Sequence, residues 1–118
     1  MQPPDRLYIG RMYDLSRKVA ERARSWTREE VDRDEDRQMA MTMLLQQIGE
    51  AARRVSLGLR QAHPEIPWND IMGMRHRIVH DYFRIDLDIV WDAAVSDIGP
   101  LVEALRPILD ELGGEPED

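Results

Sequence analysis

Within eight residues the chain sets an arginine, a histidine and a tyrosine in the order R-x-x-x-x-H-x-Y. They are Arg75, His80 and Tyr82, in the run Gly73-Met74-Arg75-His76-Arg77-Ile78-Val79-His80-Asp81-Tyr82-Phe83. Together they offer what phosphodiester cleavage needs without a metal. Histidine titrates near neutral pH and can take or give a proton. Arginine is a permanent cation whose planar fork of donors matches phosphate. The tyrosine phenol can donate or accept a hydrogen bond, or carry a modification. RNA can cleave itself when its 2′-hydroxyl attacks the adjacent phosphate. A catalyst must remove the 2′ proton, stabilise charge on the phosphorane and assist the leaving 5′ oxygen. His80 is the candidate general base or acid, a role worth on the order of 10²–10⁴ in rate. Arg75 is the candidate for the non-bridging oxygens. Tyr82 could bond phosphate or position a base, and His76 and Arg77 are further candidates for phosphate or RNA contact.

Helix geometry constrains how these groups meet. At about 100° per residue, Arg75 and Tyr82 share a face of a straight helix, whereas Arg75 and His80 stand about 140° apart. Either the helix ends or distorts near His80, or the site is composite between two chains. His76 and His80 also form an i, i+4 pair, the spacing that puts two metal ligands on one face. Asp81, His63 and Glu50 could supply further ligands, but no spacing singles one out, so no metal site is assigned. His63 precedes Pro64 at a helix end, where a cation is favourable.

The elements that must hold these residues are helical. Leu7, Met12, Leu15, Val19, Ala23 and Trp26 step at helical spacing and predict a first helix from about Pro4 to Ser25. Thr27-Arg28-Glu29-Glu30 reads as a capping box that opens a short helical turn. Ala40, Met43, Leu44, Gln47, Ile48, Ala51, Val55 and Leu59 form the stripe of a long helix, about Asp36 to Gln61. A third helix runs from about Pro67 to Phe83, with Pro67 in its first turn. The last starts near Asp86 as N-cap, is bent or interrupted at Gly99-Pro100 and Pro107, and stops at Gly113-Gly114. The expected fold is all-α: an up-and-down bundle of four main helices plus a short helical turn. Residues 1–112 form one helical domain, and 113–118 an acidic, disordered tail. Gly49 is costly in mid-helix, and with its small neighbours it predicts a close helix–helix contact. The methionines Met39, Met41, Met43, Met72 and Met74 read as core or subunit interface.

Composition narrows the function classes. The chain has 118 residues, a net charge of −7 and no cysteine. The absence of cysteine excludes a disulfide framework, a thiolate metal site and a cysteine nucleophile. The charge argues against coating nucleic acid by bulk electrostatics. Its distribution is uneven: the segment 53–84 holds six arginines and all three histidines against Glu65, Asp70 and Asp81. A local anion site on an acidic protein, or a solvated basic helix face, would each produce that pattern. The start of the chain shows no signal peptide pattern, and no apolar run approaches the roughly 20 residues that span a bilayer.

Five blocks of the chain resemble the HepT-like family, the toxin branch of the HEPN superfamily of small all-helical proteins. They are Ile48-Gly49-Glu50-Ala51-Ala52, Pro64-Glu65-Ile66-Pro67-Trp68, Ile71-Met72-Gly73-Met74-Arg75, Val79-His80-Asp81-Tyr82-Phe83 and Ile89-Val90-Trp91. Order and spacing agree from about Arg6 to Leu109. The resemblance implies a cytoplasmic ribonuclease toxin that needs no metal and no cofactor. It implies a homodimer in which the Arg/His motifs of two protomers face one cleft. It implies a nucleotidyltransferase antitoxin of the MNT type, which silences the toxin by attaching AMP to the motif tyrosine. By position the arginine is Arg75, the histidine His80 and the AMP acceptor Tyr82. The family usually has asparagine directly after the arginine, and here that residue is His76. Asparagine offers a donor and an acceptor in any protonation state, histidine only when neutral. Two rival readings follow. One is a non-catalytic helical dimeric module that partners a nucleotidyltransferase; the other is a metal-binding helical protein using His76 and His80.

Overall fold

A computed structural model of the chain describes residues 3–79 and 84–113. The fold is all-α. The described helices are α1 (Pro3–Ser25), α2 (Arg28–Arg33), α3 (Glu35–Arg53), α4 (Leu57–Ala62), α5 (Trp68–Met72), α6 (Met74–Ile78), α7 (Leu87–Asp92) and α8 (Ile98–Glu111). A π-turn, Ala93–Asp97, joins α7 to α8. The long helix α1 packs against both α3 and α8, and α3 also carries α5 and α6.

Local signals produced the predicted starts. Thr27 Oγ1 accepts from the Glu30 amide at 3.1 Å, and the Thr27 amide donates to Glu30 Oε1 at 2.9 Å. This reciprocal box satisfies two amides that the helix itself leaves unpaired. Asp34 opens α3 by accepting from the amides of Asp36 and Arg37. Asp86 opens α7 by accepting from the Ile89 amide at 3.2 Å. Arg28 then staples α2 to α7, pairing with Asp32 at 2.8 Å and with Asp88 at 2.9 Å. These two carboxylates, Asp32 first, hold the Arg28 guanidinium pKa above its ordinary value.

The inward faces differ in register from the predicted stripes. In α1 the fully buried positions are Ile9, Met12, Ser16 and Val19, while Leu7 is half exposed. Leu7 lies two residues from Ile9, about 200° round the helix, so both cannot face the core. In α3 the buried arc runs through Met41, Leu45, Ile48 and Ala52, and Met43 and Gln47 face outward. Met41 and Met74 are core, whereas Met39 and Met43 lie exposed one turn apart.

Three long helices predicted from periodicity are broken differently. The helix expected over 36–61 stops at Arg53, and α4 restarts after Ser56. Buried Asp5 holds that joint: its carboxylate accepts from the Ser56 amide and from Ser56 Oγ, each at 2.7 Å. The helix expected over 67–83 splits at Gly73 into α5 and α6 and ends at Ile78. Helical structure runs from Leu87 through Gly99-Pro100 and Pro107 to Glu111 without interruption. Pro100 has no amide to donate to a carbonyl one turn back, and it stands in the first turn of α8, where the missing donor costs least. Exposed Pro107 sits on the solvent side of α8.

Candidate active site

The site is built on α6, a single turn of helix whose position is fixed from below. Met74 and Ile78 point into the core. The next three positions, Arg75, His76 and Arg77, are all exposed. Two buried residues one turn apart leave most of the circumference outside, and the three basic side chains occupy it.

α5 and α3 set where α6 begins. Gly49 lets the backbone of α5 approach α3 closely: a methyl group there would lie 2.7 Å from the Ile71 carbonyl oxygen. The Gly73 amide donates to Asn69 at 2.9 Å and closes α5. The amides of His76 and Arg77 then bond back to the Gly73 carbonyl, starting α6. Arg53 donates through Nη2 to the Met72 carbonyl at 3.0 Å. The Arg60 guanidinium reaches the Met72 sulfur at 3.6 Å. Sequence reasoning placed Arg53 and Arg60 in a basic cluster and gave no sign that they would brace α5.

Beyond α6 the chain turns extended. Val79 pairs with Ile85 in an antiparallel bridge, and the Asp86 amide donates to the Ile78 carbonyl at 2.7 Å. Residues 79 and 85 therefore stand side by side, next to the C-terminal end of α6. His80, Asp81, Tyr82 and Phe83 fall outside the described residues. The helix thus ends before His80, one of the two alternatives that geometry left open. The face shared by Arg75 and Tyr82 presupposed a continuous helix, and it does not follow once α6 stops at Ile78.

Among the described residues, Arg75 and His76 make no side-chain hydrogen bond or ion pair. Arg77 donates to the Asp70 carbonyl at 3.3 Å. It also edges a hollow of about 260 Å³ whose floor includes Leu45, Ile48, Met74 and Leu101. Glu50 is exposed and 3.7 Å from Arg53 Nε. His63 closes α4, with Nδ1 3.3 Å from Glu65 and Nε2 3.8 Å from Glu111. Among the described residues no three acidic or histidine side chains converge as a metal site would require.

An exposed arginine with no partner among the described residues, on a helix that the core holds in place, is suited to bind an anion. The sequence matches the family described as Ribonuclease HepT-like over residues 12–108. The chain belongs to this family. A protein of Methanocaldococcus jannaschii, provisionally named an RNase, is 30% identical over 79 residues, 67% of this chain and 65% of its own length. Another so named, from Caldanaerobacter subterraneus subsp. tengcongensis, is 29% identical over 93 residues, covering 79% and 83%. The probable ribonuclease HepT of Thermococcus cleftensis is 35% identical over 68 residues, covering 58% and 62%. No solved structure matches the chain. The HepT-like match contains all of α3 to α7, so every element that positions α6 lies within the family region. No described helix is long and apolar enough to cross a membrane.

Proposed function

We propose that this protein is a metal-independent endoribonuclease, the toxin of a toxin–antitoxin pair acting in the cytoplasm. The observation that carries the reading is Arg75, exposed on α6 and without a side-chain hydrogen bond or ion pair among the described residues, in a chain of a ribonuclease family. The 2′-hydroxyl oxygen of the substrate attacks the adjacent phosphorus. The O2′–P bond forms, the P–O5′ bond breaks, and the products are a 2′,3′-cyclic phosphate and a 5′-hydroxyl end. His80 takes the 2′ proton or returns one to the leaving oxygen. Arg75 holds the non-bridging oxygens as their charge grows. His76, Arg77 and Tyr82 contact the RNA around the scissile phosphate.

Two copies complete the site, with the motifs facing one cleft. The single-turn length of α6 supports this, since one short helix presents few groups to a substrate. An MNT-type nucleotidyltransferase silences the protein by joining AMP to Tyr82. Cleavage of RNA in EDTA, leaving 2′,3′-cyclic phosphate ends, is the test. Activity lost in EDTA and restored by zinc or manganese would replace this reading with a metal site at His76 and His80. Loss of cleavage in His80→Ala with helicity retained is the second expected result; an unfolded variant would make His80 a core residue instead.

A second reading rests on His76, which stands where the family usually has asparagine. On it the protein is a non-catalytic dimeric module that keeps only the nucleotidyltransferase partner. Growth arrest on induced expression distinguishes the two, because only the ribonuclease produces it.

A further inference from the structure

Two guanidinium groups, one from α1 and one from the end of α3, lie near the Tyr8 ring. The Arg11 guanidinium carbon lies 5.9 Å from the ring centroid, and that of Arg54 lies 5.7 Å from it. Arg11 is one turn further along α1, and Arg54 is the C-cap of α3. The ring is half-buried and both arginines are exposed. Around them opens a cleft of about 690 Å³ between α1 and α3, lined also by Asp14, Gln47 and Glu50.

The lining sets two arginines, Arg11 and Arg54, against two carboxylates, Asp14 and Glu50, on a protein of net charge −7. Neither Arg11 nor Arg54 is in an ion pair among the described residues, whereas Glu50 already faces Arg53 at 3.7 Å. An aromatic ring beside guanidinium groups that form no ion pair among the described residues is what a nucleotide in a single strand binds. The ring stacks a base of any identity, and the guanidinium groups take the phosphates or stack in turn.

The cleft also adjoins the motif through one element. Glu50 and Arg54 of α3 line it, and Arg53 between them donates to the carbonyl of Met72, directly ahead of Gly73 and α6. The end of α3 is thus a shared wall between the Tyr8 cleft and the helix that carries Arg75. We propose that the Tyr8–Arg11–Arg54 cleft is a subsite for a nucleotide of single-stranded RNA flanking the one cut at the motif. The inference rests on the ribonuclease reading and gives its substrate class as unpaired RNA.

The probe is a short single-stranded 2′-O-methyl oligonucleotide, which lacks the attacking hydroxyl. It is titrated against the full-length protein in EDTA and followed by fluorescence anisotropy. Tyr8→Ala is expected to weaken binding by about 5- to 150-fold, the loss of one stacked base. Tyr8→Phe keeps the ring and should keep the affinity. Arg54→Gln should lower the slope of log affinity against log salt by about 0.7, one single-strand phosphate contact. Tyr13 is the control: it has Arg17 and Arg106 each at 5.8 Å, on the flank of α1 that faces α8. Tyr13→Ala should bind as the wild type does.

Unchanged affinity in a folded Tyr8→Ala overturns the subsite, and so does an equal loss in Tyr13→Ala. If Tyr8→Ala does not fold, an Arg54→Gln slope equal to that of the wild type overturns it. A wild-type protein that does not bind the probe overturns it as well. The ribonuclease reading fails separately. If the wild type binds the probe at Tyr8 yet leaves the matching oligoribonucleotide uncut, cleavage falls and the subsite stands.

Discussion

The α-carbon of Gly49 and the carbonyl oxygen of Ile71 approach so closely that one added methyl group would lie 2.7 Å from that oxygen. The obstacle is backbone, so no side chain can swing aside to relieve it. α5 carries that carbonyl and leads through Gly73 directly into α6, so this contact helps set where Arg75 stands. Gly49→Ala should therefore lower stability by about 1–3 kcal/mol, as overpacking does. It should do so although alanine favours a helix interior over glycine by about 1 kcal/mol. Urea unfolding measures the first effect and RNA cleavage, expected to fall with it, the second. A variant as stable as the wild type would show that α5 has room to move.

Arg75 separates charge from geometry. It is exposed and supports no described contact, so replacing it should leave stability within about 0.5 kcal/mol. Arg75→Lys keeps the positive charge and loses the planar fork that matches two phosphate oxygens. Cleavage should fall by about tenfold or more, in the direction seen when one donor to a developing oxyanion is lost. Equal rates for lysine and arginine would reduce Arg75 to a general electrostatic contribution.

The parts of the fold legible in the sequence are those decided within a few residues. The capping box at Thr27 and the N-cap at Asp86 each depend on local chemistry, and each is present; the small residues around Gly49 marked a close approach, but not that its partner is Ile71 on α5. The break between α3 and α4 depends instead on Asp5, 51 residues from the Ser56 it binds, and periodicity has no access to such a partner. Gly73 was visible, but a glycine is tolerated in some helices and terminates others, and only the bonds from His76 and Arg77 to its carbonyl decide the outcome. Pro100 misled for the opposite reason, because it falls in the first turn of α8, where a helix tolerates a proline. At the site, the residue types and their spacing were legible. The bracing of α5 by Arg53 and Arg60 was not, since it runs through the carbonyl and the sulfur of Met72 rather than through any charge pattern.

Replacing His76 with the residue that the family usually has at that position tests its role. Asparagine offers a donor and an acceptor together on one side chain. If this side chain orients phosphate or His80, His76→Asn should change the cleavage rate while leaving helicity unchanged. The measurement is the ratio of the two cleavage rates. Equal rates would remove His76 from the site.

A composite cleft requires two copies. Full-length protein should sediment as a dimer at micromolar concentration. Met74 is buried in its own subunit, so it cannot line the two-fold axis; among the described residues the exposed methionines are Met39 and Met43, 57% and 58% accessible. Sedimentation as monomer alone, in a preparation that still cuts RNA, would confine the site to one chain.

Tyr82 is the residue where we expect control to act. It lies midway in sequence between Val79 and Ile85, which pair beside the end of α6. A group joined to its phenol would bring a phosphate and a nucleoside to the segment that also carries His80. That phosphate would compete with RNA phosphate for Arg75 and repel the incoming strand, so bulk and charge act together. Co-expression with a cognate MNT-type nucleotidyltransferase should raise the protein's mass by one or more AMP units, mapped to the peptide containing Tyr82. Tyr82→Phe should abolish the shift and restore growth arrest in the presence of the partner. It should also leave cleavage by the unmodified protein measurable, because phenylalanine preserves the ring. A mass that stays unchanged with active partner and ATP would reject modification, and would leave complex formation as the means by which the partner silences the protein.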